Sequence, residues 1–147
     1  MKVPGGTITT PTLDKQLVLQ EIVAILAIDE TVTDLLAGPQ YISANASNLN
    51  STNPTIVVCD GGDDVVTEIR RRTIVNIHIR TNKPDINASD ALCSAIEDAV
   101  TNCLTLPANQ TLNGEVSRFV ELTSEPLQSE DNPTIRMHSI VITYEVV

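Results

Sequence analysis

"CDGGDDVVTEIRRRTIVNIHIRT", Cys59 to Thr81, runs an acidic, glycine-rich stretch into three arginines and then into alternating β-branched residues. The second half decides the fold class. Val75, Ile77 and Ile79 fall on one side of an extended chain, and Asn76, His78 and Arg80 fall on the other. Period-two alternation of this kind marks a strand with one face against a core. The spacing predicts a strand from Glu68 to Arg80. A shorter buried strand, "TIVVCD" from Thr55 to Asp60, precedes it by virtue of its β-branched content.

Outward from this pair the period changes from two to that of a helix. "TLDKQLVLQEIVAILAI", Thr12 to Ile28, places Leu17, Val18, Ile22, Ile25 and Leu26 at helical spacing, with Thr12 as the N-cap and Asp14 at the positive end of the helix. "DETVTDLLAG" reads as a second short helix, capped by Asp29, striped by Val32, Leu35 and Leu36, and stopped by Gly38 and Pro39. The Asn/Ser/Thr-rich segment Ser43 to Pro54 reads as a long exposed loop. "SDALCSAIEDAVTNCL" is a further core helix, with Ser89 as N-cap and Leu92, Ile96, Ala99, Val100, Cys103 and Leu104 along one side.

Two more strands are predicted at Gly114 to Thr123 and Thr134 to Val147, joined by the polar turn "SEPLQSEDNP". The last is apolar on both faces: Ile140, Ile142, Tyr144 and Val146 on one, Ile135, Met137, Val141 and Val147 on the other. Such a strand is central, or is covered on its second side by a partner chain. The expected fold is α+β, a mixed and mostly antiparallel sheet of about four to five strands with two main helices packed on one face. A length of 147 residues suits a single domain, with residues 1–11 as an extended N-terminal arm.

Composition removes several classes of function. The aromatic residues are Tyr41, Phe119 and Tyr144, so no stacking platform for single strands is visible. With 9 basic against 19 acidic residues the formal charge is −10, which repels nucleic-acid phosphate at long range. The longest apolar run, Ile22 to Ile28, is too short to span a bilayer, and "MKVPGGTITTPT" has no signal-peptide core. The expectation is a cytosolic product that avoids membranes. Cys59, Cys93 and Cys103 are odd in number and lack C-x-x-C spacing, which favours buried thiols over disulfides or zinc.

The charged stretch offers two readings. "DGGDD", Asp60 to Asp64, lacks the alternate spacing and terminal glutamate of a calcium loop, so a solvated hairpin or interface loop is preferred to a metal site. Arg70, Arg71 and Arg72 alternate faces if extended and cannot form one phosphate-binding patch. They form either a solvated strand end or one half of a subunit contact. In the second case they, with Arg136, would pair with Asp60, Asp63, Asp64, Glu130 or Asp131 of a neighbouring copy. His78 and His138 stand in predicted strands without a carboxylate or nucleophile at motif spacing, and read as structural or surface histidines. No nucleophile elbow, phosphate loop, dinucleotide glycine set or H-E-x-x-H occurs, so catalysis has no residues to stand on and no cofactor is expected.

Taken in order, these elements resemble the tail-terminator (tail-completion) proteins of long-tailed bacteriophages. The resemblance is carried by "DETVTDLLAGPQYI", "NPTIVVCDGG", "RRRTIVNIHIRT", "NASDALCSAIEDAV" and "VSRFVELTSEPLQSEDNPTIRMHSIVITYEV". The family phrase L-x-x-D-x-x-V-x-x-L-L-x-G-x-x-Y is matched approximately from Ile25 to Tyr41. It implies a virion protein assembled in the host cytoplasm, forming a ring, typically of six copies, that caps the tail tube. Its implied partners are further copies of itself, the tail tube protein, a neck or connector protein and the sheath protein. DNA would pass through the lumen without specific binding, and an acidic lining would let it slide. A head-tail stopper or connector, or a cellular α+β domain dimerising by sheet pairing, are the alternatives.

Overall fold

The computed structural model of the chain describes residues 14–45, 53–65, 71–125, 128–129 and 132–146. The N-terminal arm expected at residues 1–11 lies outside them. So do Arg70, Glu130 and Asp131 of the expected contact set.

The alternating stretch forms the middle of one mixed sheet. Strand β3 (Arg71–Asn82) pairs antiparallel with β2 (Thr55–Val65) on one side and with β6 (Ile135–Val146) on the other. Strand β4 (Arg118–Ser124) lies antiparallel along the far side of β6, and β1 (Ile42–Ala44) runs parallel to β2. The order is β1-β2-β3-β6-β4, with the two-residue β5 (Gln128–Ser129) also paired to β6. The last strand therefore lies inside the sheet, between β3 and β4, one of the two arrangements that its apolar faces allowed.

Three helices line one face. Helix α1 (Lys15–Ile28) is capped by Asp14, whose carboxylate accepts from the Gln16 N–H, and α2 (Glu30–Leu35) by Asp29, which accepts from the Val32 N–H. Helix α3 (Ile86–Thr105) is capped by Asp85. Val18, Ile22 and Leu26 of α1 and Ile96, Val100 and Leu104 of α3 share one core with Val75, Ile77 and Ile79 of β3 and Ile140, Ile142 and Tyr144 of β6.

Several local expectations are corrected. The cap of α1 is Asp14, not Thr12, and Leu19 replaces Leu17 on its buried stripe; Leu17 is exposed. A stripe drawn through 18, 22, 25 and 26 accepts either neighbour, and only the docking angle of the helix chooses between them. Helix α3 begins one turn earlier than Ser89. Ser89 is a fully buried interior residue whose hydroxyl lies 2.9 Å from that of Thr81 on β3. Ser43 and Ala44, expected in a loop, form β1, because the exposed edge of β2 offers them backbone partners. The first hairpin strand does not stop at Asp60. It runs on through the "DGGDD" stretch to Val65, with a bulge at Gly61; β3 is described from Arg71, and its expected start at Glu68 lies outside the described residues.

Candidate assembly surface

The bulge is where the acidic stretch is spent. Gly61 packs so closely on β3 that a Cβ there would sit 3.0 Å from the Ile74 carbonyl oxygen, and Gly62 takes a φ of 100°, open to glycine at no steric cost. The kink turns Asp60 and Asp63 toward the first residue of α1. Lys15 Nζ lies 2.8 Å from Asp60 Oδ1 and 3.0 Å from Asp63 Oδ1. It also donates to the carbonyls of Gly62 and Ile74, at 3.2 and 3.0 Å, and to the Thr73 hydroxyl. An ammonium has three protons, so these five oxygens share them. The Lys15 side chain is only 14% exposed, whereas those of Asp60 and Asp63 are 54% and 61% exposed. The two aspartates thus serve the chain's own α1 while keeping an open side.

Lys15 carries no sequence motif, and its partners lie more than forty positions away. It also blunts an edge. Beyond Val58 the outer edge of β2 has no strand beside it among the described residues, and an open edge recruits foreign strands. Here the bulge, the carboxylates and the lysine bonded to the Gly62 carbonyl occupy that edge.

The Lys15 ammonium, followed by the Gly62 N–H, holds the Asp60 carboxyl below its ordinary value of 3.8. A depressed carboxylate pKa adds stability that is present above the ordinary value and is lost as the pH falls through the depressed one. Lys15→Met should therefore be less stable than the parent at pH 7, and the gap should narrow below about pH 3.8. Urea unfolding at both pH values checks this; an equal gap at the two would remove the aspartates from the explanation.

On the opposite side, facing away from the helices, the sheet carries a row of charge. Arg118 on β4, Glu145 on β6, Arg72 on β3 and Asp64 on β2 are successive cross-strand neighbours. Arg118 Nε lies 2.6 Å from Glu145 Oε1, and Glu145 is buried. Arg71 is exposed, whereas Arg72 buries its Nε without a hydrogen-bond partner among the described residues. Below this row the helix-free face is apolar and half-buried at Ile74, Cys59, Val141, Met137 and Ile135. His78 also lies there, its Nδ1 2.9 Å from the Ser139 hydroxyl on the neighbouring strand.

Arg136 goes elsewhere. It is on the helix side, opposite Thr81, and its guanidinium holds Asp90 of α3. It locks helix to sheet and does not join the arginines of β3. His138, expected to lack a carboxylate partner, has one. Its Nε2 is 3.5 Å from Glu97 Oε1, too far for a good hydrogen bond but within range for an ion pair when the ring is protonated. The same oxygen accepts from Ser124 at 2.6 Å, so the serine bonds the carboxylate and not the histidine, unlike an activated nucleophile.

Cys93 and Cys103 are buried free thiols, pushed up to about 11 and about 12, chiefly by burial. Cys59 is raised for the same reason and is half-buried. Among the described residues no three His, Cys, Asp or Glu side chains gather as metal ligands, and no helix is long and apolar enough to cross a membrane.

No family profile and no curated relative matches the chain. Among solved structures, a chain of the "Virion of native gene transfer agent (GTA) particle" superimposes with a TM-score of 0.51 and 17% identity, over 85% of this chain and 90% of that one. The arrangement of helices on one side of a mixed sheet, with the other side bare, is thus a fold that this chain shares with a chain of that particle.

Proposed function

We propose that this chain is a non-enzymatic virion protein of the tail-terminator kind, forming a ring, six copies in number, that caps the tail tube and meets the neck. The observation that carries this reading is the fold likeness, over 85% of this chain, to a chain of the gene transfer agent virion, taken together with the ordered elements that resemble the terminator family. A head-tail stopper or connector remains the second reading, since it would use the same virion setting. Neighbouring copies, the tube protein, the neck or connector protein and the sheath are the partners of this reading, and DNA crosses the lumen unbound. The net charge of −10 supports that last role, because an acidic lining repels the duplex.

Between copies, the open sides of Asp60 and Asp63, with Asp64 next to them in sequence, would receive the arginines at the start of β3. Arg70, Glu130 and Asp131, which lie outside the described residues, belong to the same proposed contact set. Native mass measurement of the purified protein, alone and on tail tubes, should find six-copy rings. Arg71→Glu, which reverses an exposed charge, should weaken the rings at least about tenfold while leaving the melting temperature unchanged, because like charges brought together at a contact cost several kcal/mol. Monomers under every condition, on tubes included, would refute the ring.

A further inference from the structure

We propose that the outer side of α1, along Leu17, Ala24 and Ile28, docks head to tail on the helix-free sheet face of a second copy, along Ile74, Val141 and Met137. The inference rests on the ring reading and deepens it, by naming the two unlike surfaces through which copies meet. Each joined pair still offers one free surface of each kind, so copies add in one direction, and the chain of copies closes when each is turned by a sixth of a circle.

Helix α1 is apolar on more sides than its own core uses. From Leu17 to Ile28 its polar residues are Gln20 and Glu21, and a helix apolar nearly all round belongs in an interior. Val18, Leu19, Ile22, Ile25 and Leu26 face the core. Leu17, Ala24 and Ile28 follow at steps of seven and four, which stacks them on one line along the other side. All three are exposed, Leu17 by 46% and Ile28 by 83%. Glu21 falls near the same line, but its carboxylate is drawn off by the side-chain amide of Asn113. The line is about 16 Å long at the helical rise. On the sheet, the half-buried row from Ile74 to Met137, which stands opposite Arg80, is about 20 Å long at the strand rise, so the two match in length.

Charge selects a second copy as the occupant. Acid flanks the α1 line at both ends: Asp14, with Asp60 and Asp63 around Lys15, at its start, and the exposed Glu30 and Asp34 just past its end. Base flanks the sheet row. Arg118 and Glu145 hold each other, which leaves the exposed Arg71 and the unbonded Nε of Arg72 at the start of β3, and the exposed Lys83 just past its end. Copies that carry −10 each repel unless such ends are brought together. Helix side against helix side would set acid on acid, whereas helix side against bare sheet sets acid on base. One chain thus carries both halves of the contact.

Two variants and their mixture test this. Ile28→Glu places a charge on the α1 line, and Val141→Glu places one on the sheet row. Each alone should weaken association by about tenfold or more and give monomers by native mass measurement where the parent forms rings. Ile28→Glu copies keep a sound sheet face, and Val141→Glu copies keep a sound α1. Mixed in equal amounts, they should therefore form dimers of one copy each and nothing larger. Thr123→Glu, at an exposed position opposite Val141 on β4, takes the place of Val141→Glu should that variant fail to fold. The measurement is made on protein alone and on tail tubes, and is scored where the parent assembles.

Rings formed by Ile28→Glu, or by both sheet variants, as readily as by the parent would overturn the contact and leave the ring standing. Single variants that stay monomeric and do not pair on mixing would show that the two surfaces meet other partners and not each other, which also overturns it. Parent monomers in solution and on tubes alike would remove the ring reading and this contact together.

Discussion

Ile77→Ala is expected to lower the unfolding free energy by about 2–5 kcal/mol, the range for emptying a buried large aliphatic site. Ile77 is fully buried at the middle of the central strand, with Val58 beside it on β2 and Ile140 beside it on β6, both also fully buried. The cost has two parts: the lost transfer of three methyl or methylene groups, and the cavity left where neighbours cannot close in. Regular strands on both sides hold their backbones in ladder register, so collapse into the gap is restricted and the upper half of the range is expected. Ile28→Ala is the internal control. That side chain is 83% exposed at the end of α1, and its removal should stay within about 0.5 kcal/mol. Urea denaturation of the two variants settles the matter. A loss at Ile77 below about 1 kcal/mol would mean that the sheet centre is loosely packed.

Tyr144→Phe is expected to raise stability, by roughly 1–2 kcal/mol, which is unusual for a substitution at a fully buried site. Tyr144 points into the core from β6, and its hydroxyl has no hydrogen-bond partner among the described residues. A buried hydroxyl without a partner has given up its water bonds and received nothing in exchange. Burial accordingly holds its ionisation far above the ordinary 10. Phenylalanine removes that oxygen and keeps the ring, including the edge-on contact with Phe119 across the β4–β6 pair, where the centroids are 6.2 Å apart at 74°. Thermal and urea unfolding should both shift upward. A loss of 1 kcal/mol or more would show that the hydroxyl has a partner after all, an ordered water being the simplest.

The two substitutions bracket the core: one tests the fully buried middle of the sheet, and the other tests a polar atom that the fold encloses at a cost. They also bear on the assembly surface. A rigid β3–β6 pair is what holds Arg72 beside Glu145, so a destabilised Ile77 variant should weaken self-association only as far as it populates unfolded chain.

Much of this could be read directly from residue order. Alternation over residues 73–80 marked β3 and named its buried side, and the doubly apolar pattern of residues 135–147 marked β6 as either central or covered by a partner, of which the sheet order shows the first. Helical spacing located α1 and α3 within a turn, and Asp29 announced the start of α2. These signals are local, because a period of two or of 3.6 residues is imposed by the backbone's own geometry on whichever side chains must be buried. What could not be read depends on partners distant in sequence. Glycines and aspartates at 60–64 favour a turn in isolation, and only the ladder with β3 and the ammonium of Lys15 hold them as a bulged strand. Ser89 favours a cap until Thr81 receives its hydroxyl, and His138 lacks a carboxylate until α3 is laid across the sheet. The alternating charge row exists in no single segment. It appears when four strands are set side by side, since register across a sheet is chosen by the burial of its other face and not by the charges themselves.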